Sequence, residues 1–498
     1  MNDVHPAYTA LVELHARLHR LQHLQSIAWW DQACNMPPKG NEARAAALAE
    51  IGTLMHRMRT DPALREQLDR AEQEPLDDDQ RADLREMRRE WRRANALPVW
   101  MVEAKTIATS RCEHAWRSQR PANDLRGFLE NFRPVLDLAR QEAACLADDS
   151  GLSRYDALLD RYEPGMTGAT AERLFGEVRQ WLPRMVGEAV ELQSRWRVIE
   201  LAGPFPKEAQ RALNLEVMQR LGFDFDAGML GESTHPFSGG VPEDVRMTTR
   251  YREDDFLKSL LATIHETGHA RYEQNLPRPT LGQPVGRARS MGVHESQSLS
   301  FEMQLARSRP FAELLAPMLR KHLGDQRAFE PDNLRRLLTR VKPGLTRVDA
   351  DELCYPAHVI LRFEIERALI EGEIEAEDIA PVWDEKLKAL LGLQAGDNFG
   401  DGCLQDVHWA ESAFGYFPCY TLGAMYGAQW FAALRRVQTD LDDRIASGDL
   451  AVVFDWMRDN IWSQGSRWTT SELALRASGE PLAPGHYKAH LERRYLTD

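Results

Sequence analysis

The sequence predicts a mainly α protein: a large helical body with a deep cleft and a small antiparallel β-sheet beside one central helix. Three observations carry this. Apolar residues recur at helical spacing, separated by charged ones, through most of the 498 residues. The pattern breaks only between residues 222 and 250. No internal repeat, low-complexity tract or Pro/Ser-rich linker divides the chain. Taken in order, Leu11, Leu14, Leu18, Leu21 and Leu24 form an N-terminal helical stripe, and Asp61 to Arg93, dense in both charge signs, reads as exposed helices. Gly222, Gly228, Gly231, Gly239 and Gly240, with Pro236 and Pro242, then interrupt the helices. There Val245, Met247 and Thr249 alternate with Arg246, Thr248 and Arg250, a strand with one polar face. Such a strand could offer backbone groups to an extended peptide. Residues 1–498 read as one domain, with an N-terminal helical part (1–200) and a part holding the site and the substrate (201–498).

Composition narrows the function classes. A formal net charge of −14 opposes nucleic acid and anionic membranes as partners, because both favour basic surfaces. No run of 18 apolar residues is present, and the polar start Met1-Asn2-Asp3-Val4-His5-Pro6 carries no signal pattern. Cys34, Cys112, Cys145, Cys354, Cys403 and Cys419 are scattered without a C-x-x-C pair and read as free thiols. A cytoplasmic location is expected.

The most informative segment runs from Leu260 to His269 and contains His265-Glu266-Thr267-Gly268-His269. Phe256, Leu257, Leu260, Leu261 and Ile264 place this H-E-x-x-H motif on an amphipathic helix. Histidines four apart project from one helix face, at the spacing that lets both imidazoles reach one Zn²⁺. Glu266 lies between them, where it can take a proton from a water beside the metal. Gly268 inside a helix costs about 1 kcal/mol relative to alanine, so it points to close backbone approach. The bland alternative is two core histidines with Glu266 in a salt bridge.

A catalytic zinc needs a third protein ligand and an open position. Glu295, in Met291-Gly292-Val293-His294-Glu295-Ser296, opens the next helical pattern and is the best candidate; His294 is the rival. Neighbouring residues on a helix point about 100° apart, so only one of the two can face the metal. Glu302, two turns on, could accept a hydrogen bond from the outer nitrogen of a ligand histidine. A structural zinc in a non-catalytic peptide-binding protein would call for four ligands and cysteine-rich spacing, which this region lacks.

Further motifs make a resemblance specific. Trp30-Asp31-Gln32 with Met36-Pro37, Tyr155-Asp156-Ala157-Leu158-Leu159-Asp160, Tyr162-Glu163-Pro164-Gly165, His235-Pro236-Phe237 and Asp244-Val245-Arg246-Met247-Thr248 occur in order. Thr346-Arg347-Val348-Asp349-Ala350-Asp351 and Gly402 to Trp409 (G-x-x-Q-D-x-H-W) follow the zinc helix. Over nearly its whole length the chain resembles the Taq-type thermostable metallocarboxypeptidases, a family of cytosolic zinc or cobalt exopeptidases. One departure is Thr346, where the family's I-R-x-x-A-D signature has isoleucine.

The resemblance implies removal of single C-terminal residues from peptides, a Zn²⁺ or Co²⁺ cofactor held by His265, His269 and Glu295, and a homodimer. It also implies that His235 places the substrate or stabilises the oxyanion. Cleavage at a chain end needs a fixed cation for the terminal carboxylate, and an arginine fork fits one with two hydrogen bonds. Arg347, set among acids by its motif, is the first choice and Arg246 the second. An oxyanion also needs a donor; Tyr420 matches best by resemblance, with Tyr416 and Tyr426 open. Asp406 and His408 are expected to shape the cleft. A helical body around the site would favour short, flexible peptides. The neighbouring readings, an oligoendopeptidase or a dipeptidyl carboxypeptidase, share the metal chemistry and differ in product size.

Overall fold

Helical spacing in the sequence becomes twenty α-helices and three short strands in a computed structural model, which describes residues 5–234 and 236–497. One apolar core runs from Cys112 to Tyr495 and is shared by most of these helices. A second, smaller core gathers Leu11, Leu64, Leu68, Ala71, Leu76, Leu84 and Met87 from the N-terminal helices. The charged 61–93 stretch therefore hides an apolar stripe on Ala63–Ala71 and Asp78–Asn95. Along Pro6–Cys34 the leucine stripe is buried at Leu11 and Leu18, but Leu24 is 60% exposed, because only part of this long helix packs inward.

The strands are β1 (Gly228–Glu232), β2 (Ser238–Val241) and β3 (Asp244–Thr249), in the order β1-β3-β2. The sheet is mixed rather than antiparallel. β2 and β3 form an antiparallel hairpin, whereas β1 runs parallel to β3. The cause is the long excursion between β1 and β3, which returns the chain to the same side before β3 begins. A second expectation changes with it. β3, the strand nearest the site helix in sequence, is central and paired on both sides, so only β1 and β2 present open edges. Val245 and Met247 pack with Ala270 of the site helix, together with Met218, Phe223 and Leu230, and this fixes the sheet against that helix.

Two helices carry the predicted site. The histidine helix, Phe256–Gln274, starts where the Asp255 side chain accepts from the Lys258 N–H. The glutamate helix, Met291–Leu299, starts at Ser290, whose hydroxyl accepts from the Val293 N–H at 2.9 Å. Gly268 and Gly423 let them approach. A Cβ at Gly268 would lie 2.5 Å from the Gln297 carbonyl oxygen, and one at Gly423, on the Pro418–Val437 helix, 2.8 Å from Glu295 Cβ. The apparent propensity cost of Gly268 is thus a packing requirement between backbones. All six cysteines are unpaired thiols, and no described helix is long and apolar enough to cross a membrane.

Candidate metal centre

The close packing of the histidine and glutamate helices brings His265, His269 and Glu295 together. One ligand atom from each lies within 4.8 Å of the others, and among the described residues this is the only such group of three. Glu295 Oε2 stands 3.4 Å from His269 Nε2 and 3.9 Å from His265 Nε2. Bonds of about 2.1 Å to one tetrahedral ion place ligand atoms about 3.4 Å apart, so the donor set fits a divalent cation such as Zn²⁺. Electrostatics agrees. Burial disfavours a charged His265, yet Glu295, Glu302 and Glu266 outweigh it and raise its pKa to about 10. Glu295 is buried too, but His265, His269 and His294 hold its pKa down to about 2. Three carboxylates, Glu295, Glu302 and Glu266, thus act on His265, a charge balance that favours a bound cation.

Both imidazoles are oriented from behind. His265 Nδ1 meets Glu302 Oε2 at 3.0 Å, as the sequence suggests, and the other Glu302 oxygen accepts from Arg307 at 2.7 Å. Glu302 and Arg307 belong to a π-helical segment, Ser300–Ala306 with Arg307 as its C-cap, that continues the glutamate helix. The sequence reading of an uninterrupted α-helix misses this segment. Arg494 of the last helix, Pro484–Tyr495, reaches back to the Met303 and Gln304 carbonyls. His269 Nδ1 meets His294 Nδ1 at 2.7 Å, and His294 Nε2 meets Glu273 Oε1 at 2.8 Å. His294, the rival ligand by sequence, therefore lies behind His269 rather than beside Glu295. The Glu273–His294 pair was not legible, because it depends on how two helices cross. Such relays tune metal affinity. The His294→Ala variant is expected to bind its metal 10–100-fold more weakly, by chelator competition; unchanged affinity would remove the relay from the site.

The quoted motifs have physical jobs around this centre. The Tyr162 carbonyl accepts from the Met291 N–H at 2.9 Å. Buried Glu163 accepts from the Ser290 hydroxyl at 2.6 Å and the Gly292 N–H at 2.9 Å, pinning the start of the glutamate helix. Tyr155 donates to Glu366, which also receives Trp409 Nε1 at 3.3 Å. Gln405 accepts from the Arg347 N–H at 2.6 Å, while Asp406 Oδ1 accepts from Arg347 Nε at 3.0 Å and Nη2 at 2.7 Å. Asp406 Oδ2 accepts from Arg362 Nε at 2.7 Å. Two guanidinium groups overcome burial and hold Asp406 ionised. Arg347 Nη1 donates to Tyr355 at 2.6 Å, and the guanidinium stacks 5.0 Å from the Tyr420 ring. Three of its five N–H groups are engaged within the chain, so one on each terminal nitrogen remains.

Tyr420 meets His408 Nε2 at 3.1 Å, and the Tyr416 ring lies 5.3 Å from the Tyr420 ring. Burial, together with the Glu295 charge, pushes the Tyr355 phenol up to about 12 despite Arg347, and Tyr416 and Tyr420 rise likewise. All three stay protonated donors. His408 is kept neutral, with its pKa lowered to about 4 by burial, Arg347 and Arg362. Glu266 is 8% exposed and makes no hydrogen bond or ion pair with any described side chain. Arg246 points elsewhere: it pairs with Asp244, which also meets His23 at 3.1 Å, and stacks 5.3 Å from Trp30. It is not brought to the three ligands by any described contact. His235 lies outside the described residues.

Comparison with known proteins identifies the family. The family model for carboxypeptidase Taq (M32) metallopeptidases matches residues 10–495. Thermostable carboxypeptidase 1 of Thermus thermophilus is 38% identical, with 98% of each chain covered. Carboxypeptidase 1 of Bacillus subtilis is 30% identical, with 99% of each covered. Among solved structures, Trypanosoma cruzi metallocarboxypeptidase 1 superposes with a TM-score of 0.97 at 48% identity, over 99% of this chain and 100% of that one. The M32 carboxypeptidase of Deinococcus radiodurans R1 gives 0.94 at 32% identity, over 99% and 100%. Over residues 10–495, nearly its whole length, this chain belongs to the carboxypeptidase Taq (M32) family of metallopeptidases.

Proposed function

We propose that the chain removes single residues from the C-terminus of short peptides, with Zn²⁺ as its metal; Co²⁺ suits the same donors. The observation that carries this reading is the meeting of His265, His269 and Glu295 through their inner atoms while partners hold the outer nitrogens of both imidazoles. A dication there supplies Lewis-acid chemistry that makes a water nucleophilic near neutral pH. Glu266, with no hydrogen-bond or ion-pair partner among the described side chains, takes the water's proton on its carboxylate and delivers it to the departing amine nitrogen. The Tyr420 hydroxyl, kept protonated, donates to the oxyanion. The two remaining Arg347 N–H groups receive the terminal carboxylate, so cleavage is counted from the chain end. Arg246 is the second choice of cation for that carboxylate. The same reading makes the protein a cytoplasmic homodimer acting on free peptides, and light scattering checks the dimer.

The test is a defined decapeptide followed by mass spectrometry. Stepwise loss of single C-terminal residues is expected, abolished by chelation and restored by Zn²⁺ or Co²⁺. Paired losses or internal cuts would instead make the chain a dipeptidyl carboxypeptidase or an oligoendopeptidase. Arg347→Lys keeps the charge but loses the fork. A lost charged hydrogen bond is worth roughly 1.5–3 kcal/mol, so KM should rise about 10–100-fold, with kcat falling much less. An unchanged KM would exclude Arg347 as the carboxylate anchor.

A further inference from the structure

Away from the metal centre, the Asp78–Asn95 helix breaks a rule of helix design. Arg81, Arg85, Arg89 and Arg93 follow one another at four-residue spacing, which sets like charges on one face at a cost of roughly 0.2–0.5 kcal/mol per pair. They face a cavity of about 730 Å³, in the range of small-molecule sites. Seven arginines line it against four carboxylates, in a chain whose net charge is −14. Its floor is apolar, with Leu76, Leu84, Leu146 and Leu152.

Local counter-charge is uneven: Arg88 pairs with Asp69 at 2.7 Å and Glu72 at 2.6 Å, and Arg81 with Asp78 at 3.7 Å, whereas the others share less. Buried Glu86 is shared by Arg85 at 2.8 Å, Arg289 at 3.0 Å and Arg89 at 3.9 Å. Asp160 adds only a 3.5 Å contact to Arg89. Burial and Arg289 lower the Arg89 pKa even with these acids present. Among the described residues, neither Arg92 nor Arg93 makes an ion pair. A second observation links the cavity to the active centre. Arg89, Arg93 and Arg289 donate to the carbonyls of Asp160, Arg161 and Pro164 at 2.6, 2.8 and 3.1 Å. That turn contains Tyr162 and Glu163, which pin the start of the glutamate helix.

We propose that this cavity binds a small phosphorylated molecule with an apolar body. A phosphate dianion presents three oxygens to several converging guanidinium groups, whereas one arginine fork satisfies a carboxylate. The apolar floor takes the rest of the ligand. Occupancy would relieve the repulsion along the helix and bear on the turn that holds the glutamate helix.

The test is calorimetric titration of the metal-loaded protein with phenyl phosphate, with inorganic phosphate and benzyl alcohol as controls. One phenyl phosphate per chain is expected, at least tenfold tighter than either control and undisplaced by a saturating blocked dipeptide. Arg92→Gln removes an exposed side chain without stranding a carboxylate and should weaken binding at least fivefold; Arg93→Gln should do the same. Several outcomes would overturn the proposal: no heat, inorganic phosphate binding equally well, displacement by the dipeptide, or affinity unchanged in both variants. Displacement by the dipeptide would place the phosphate at the metal centre.

Discussion

Glu266→Gln is expected to lower kcat at least 10³-fold while the protein keeps one metal ion per chain. Glutamine has the volume and hydrogen-bonding reach of glutamate but cannot accept the water's proton, and general-base catalysis supplies roughly 10²–10⁴ of rate. The upper part of that range applies because one carboxylate is asked both to take the proton and to return it to the amine. Nothing else in the fold should change. Glu266 accepts from no described side chain, so its replacement strands no described donor. Metal content, thermal midpoint and substrate KM should therefore stay near wild type. Elemental analysis beside steady-state kinetics separates the effects. A loss of tenfold or less would hand the base to another group, and a loss that tracks missing metal would make Glu266 part of the binding site.

Gly268→Ala should destabilise the protein by about 1–2 kcal/mol net, reversing the sign that helix propensity predicts. Replacing a mid-helix glycine by alanine ordinarily gains about 1 kcal/mol. Here the added methyl would sit 2.5 Å from the Gln297 carbonyl oxygen and 2.6 Å from Ser298 Cα, both backbone atoms that cannot step aside alone. Overpacking of this kind costs about 1–3 kcal/mol, and relief requires the glutamate helix to back away. That movement separates Glu295 from the two histidines, so metal affinity should fall together with stability. Gly187, in the exposed middle of Gly168–Gln193, is the control, with nothing within 4 Å of its missing Cβ. Gly187→Ala should be neutral or stabilising by up to about 1 kcal/mol. Denaturant melts of the two variants decide the matter, and a stable Gly268→Ala protein would deny the contact its importance.

What the sequence made legible follows from the range of each signal. The histidine helix, its histidine pair, Glu295 and the partnership of Glu302 with His265 rest on spacing along one or two adjacent helices, which local periodicity reports. The parallel pairing of β1 with β3 and the central place of β3 depend on strand order, which an alternating pattern does not encode. His294 shows the limit most clearly. One residue from Glu295, it is chemically able to bind metal, and only the crossing of two helices turns it toward His269 and Glu273. Arg347 was readable as a cation set among acids, but its sharing of Asp406 with Arg362 joins positions 59 and 44 residues apart.

The π-helical segment carries a last consequence, for chain length rather than chemistry. Glu302 and Arg307 are five residues apart, which on an α-helix would point them about 140° away from each other. The wider winding brings them to the same side, where the Arg307 N–H also bonds the Glu302 carbonyl at 3.2 Å. Losing one residue between Glu302 and Arg307 would leave the pair four apart on an α-helix, still on one face, whereas gaining one would leave them six apart and swing Arg307 off Glu302. His265 would then keep a carboxylate with no cation behind it, although every ligand and every catalytic group is still encoded. This stretch should thus tolerate substitutions far better than it tolerates insertions.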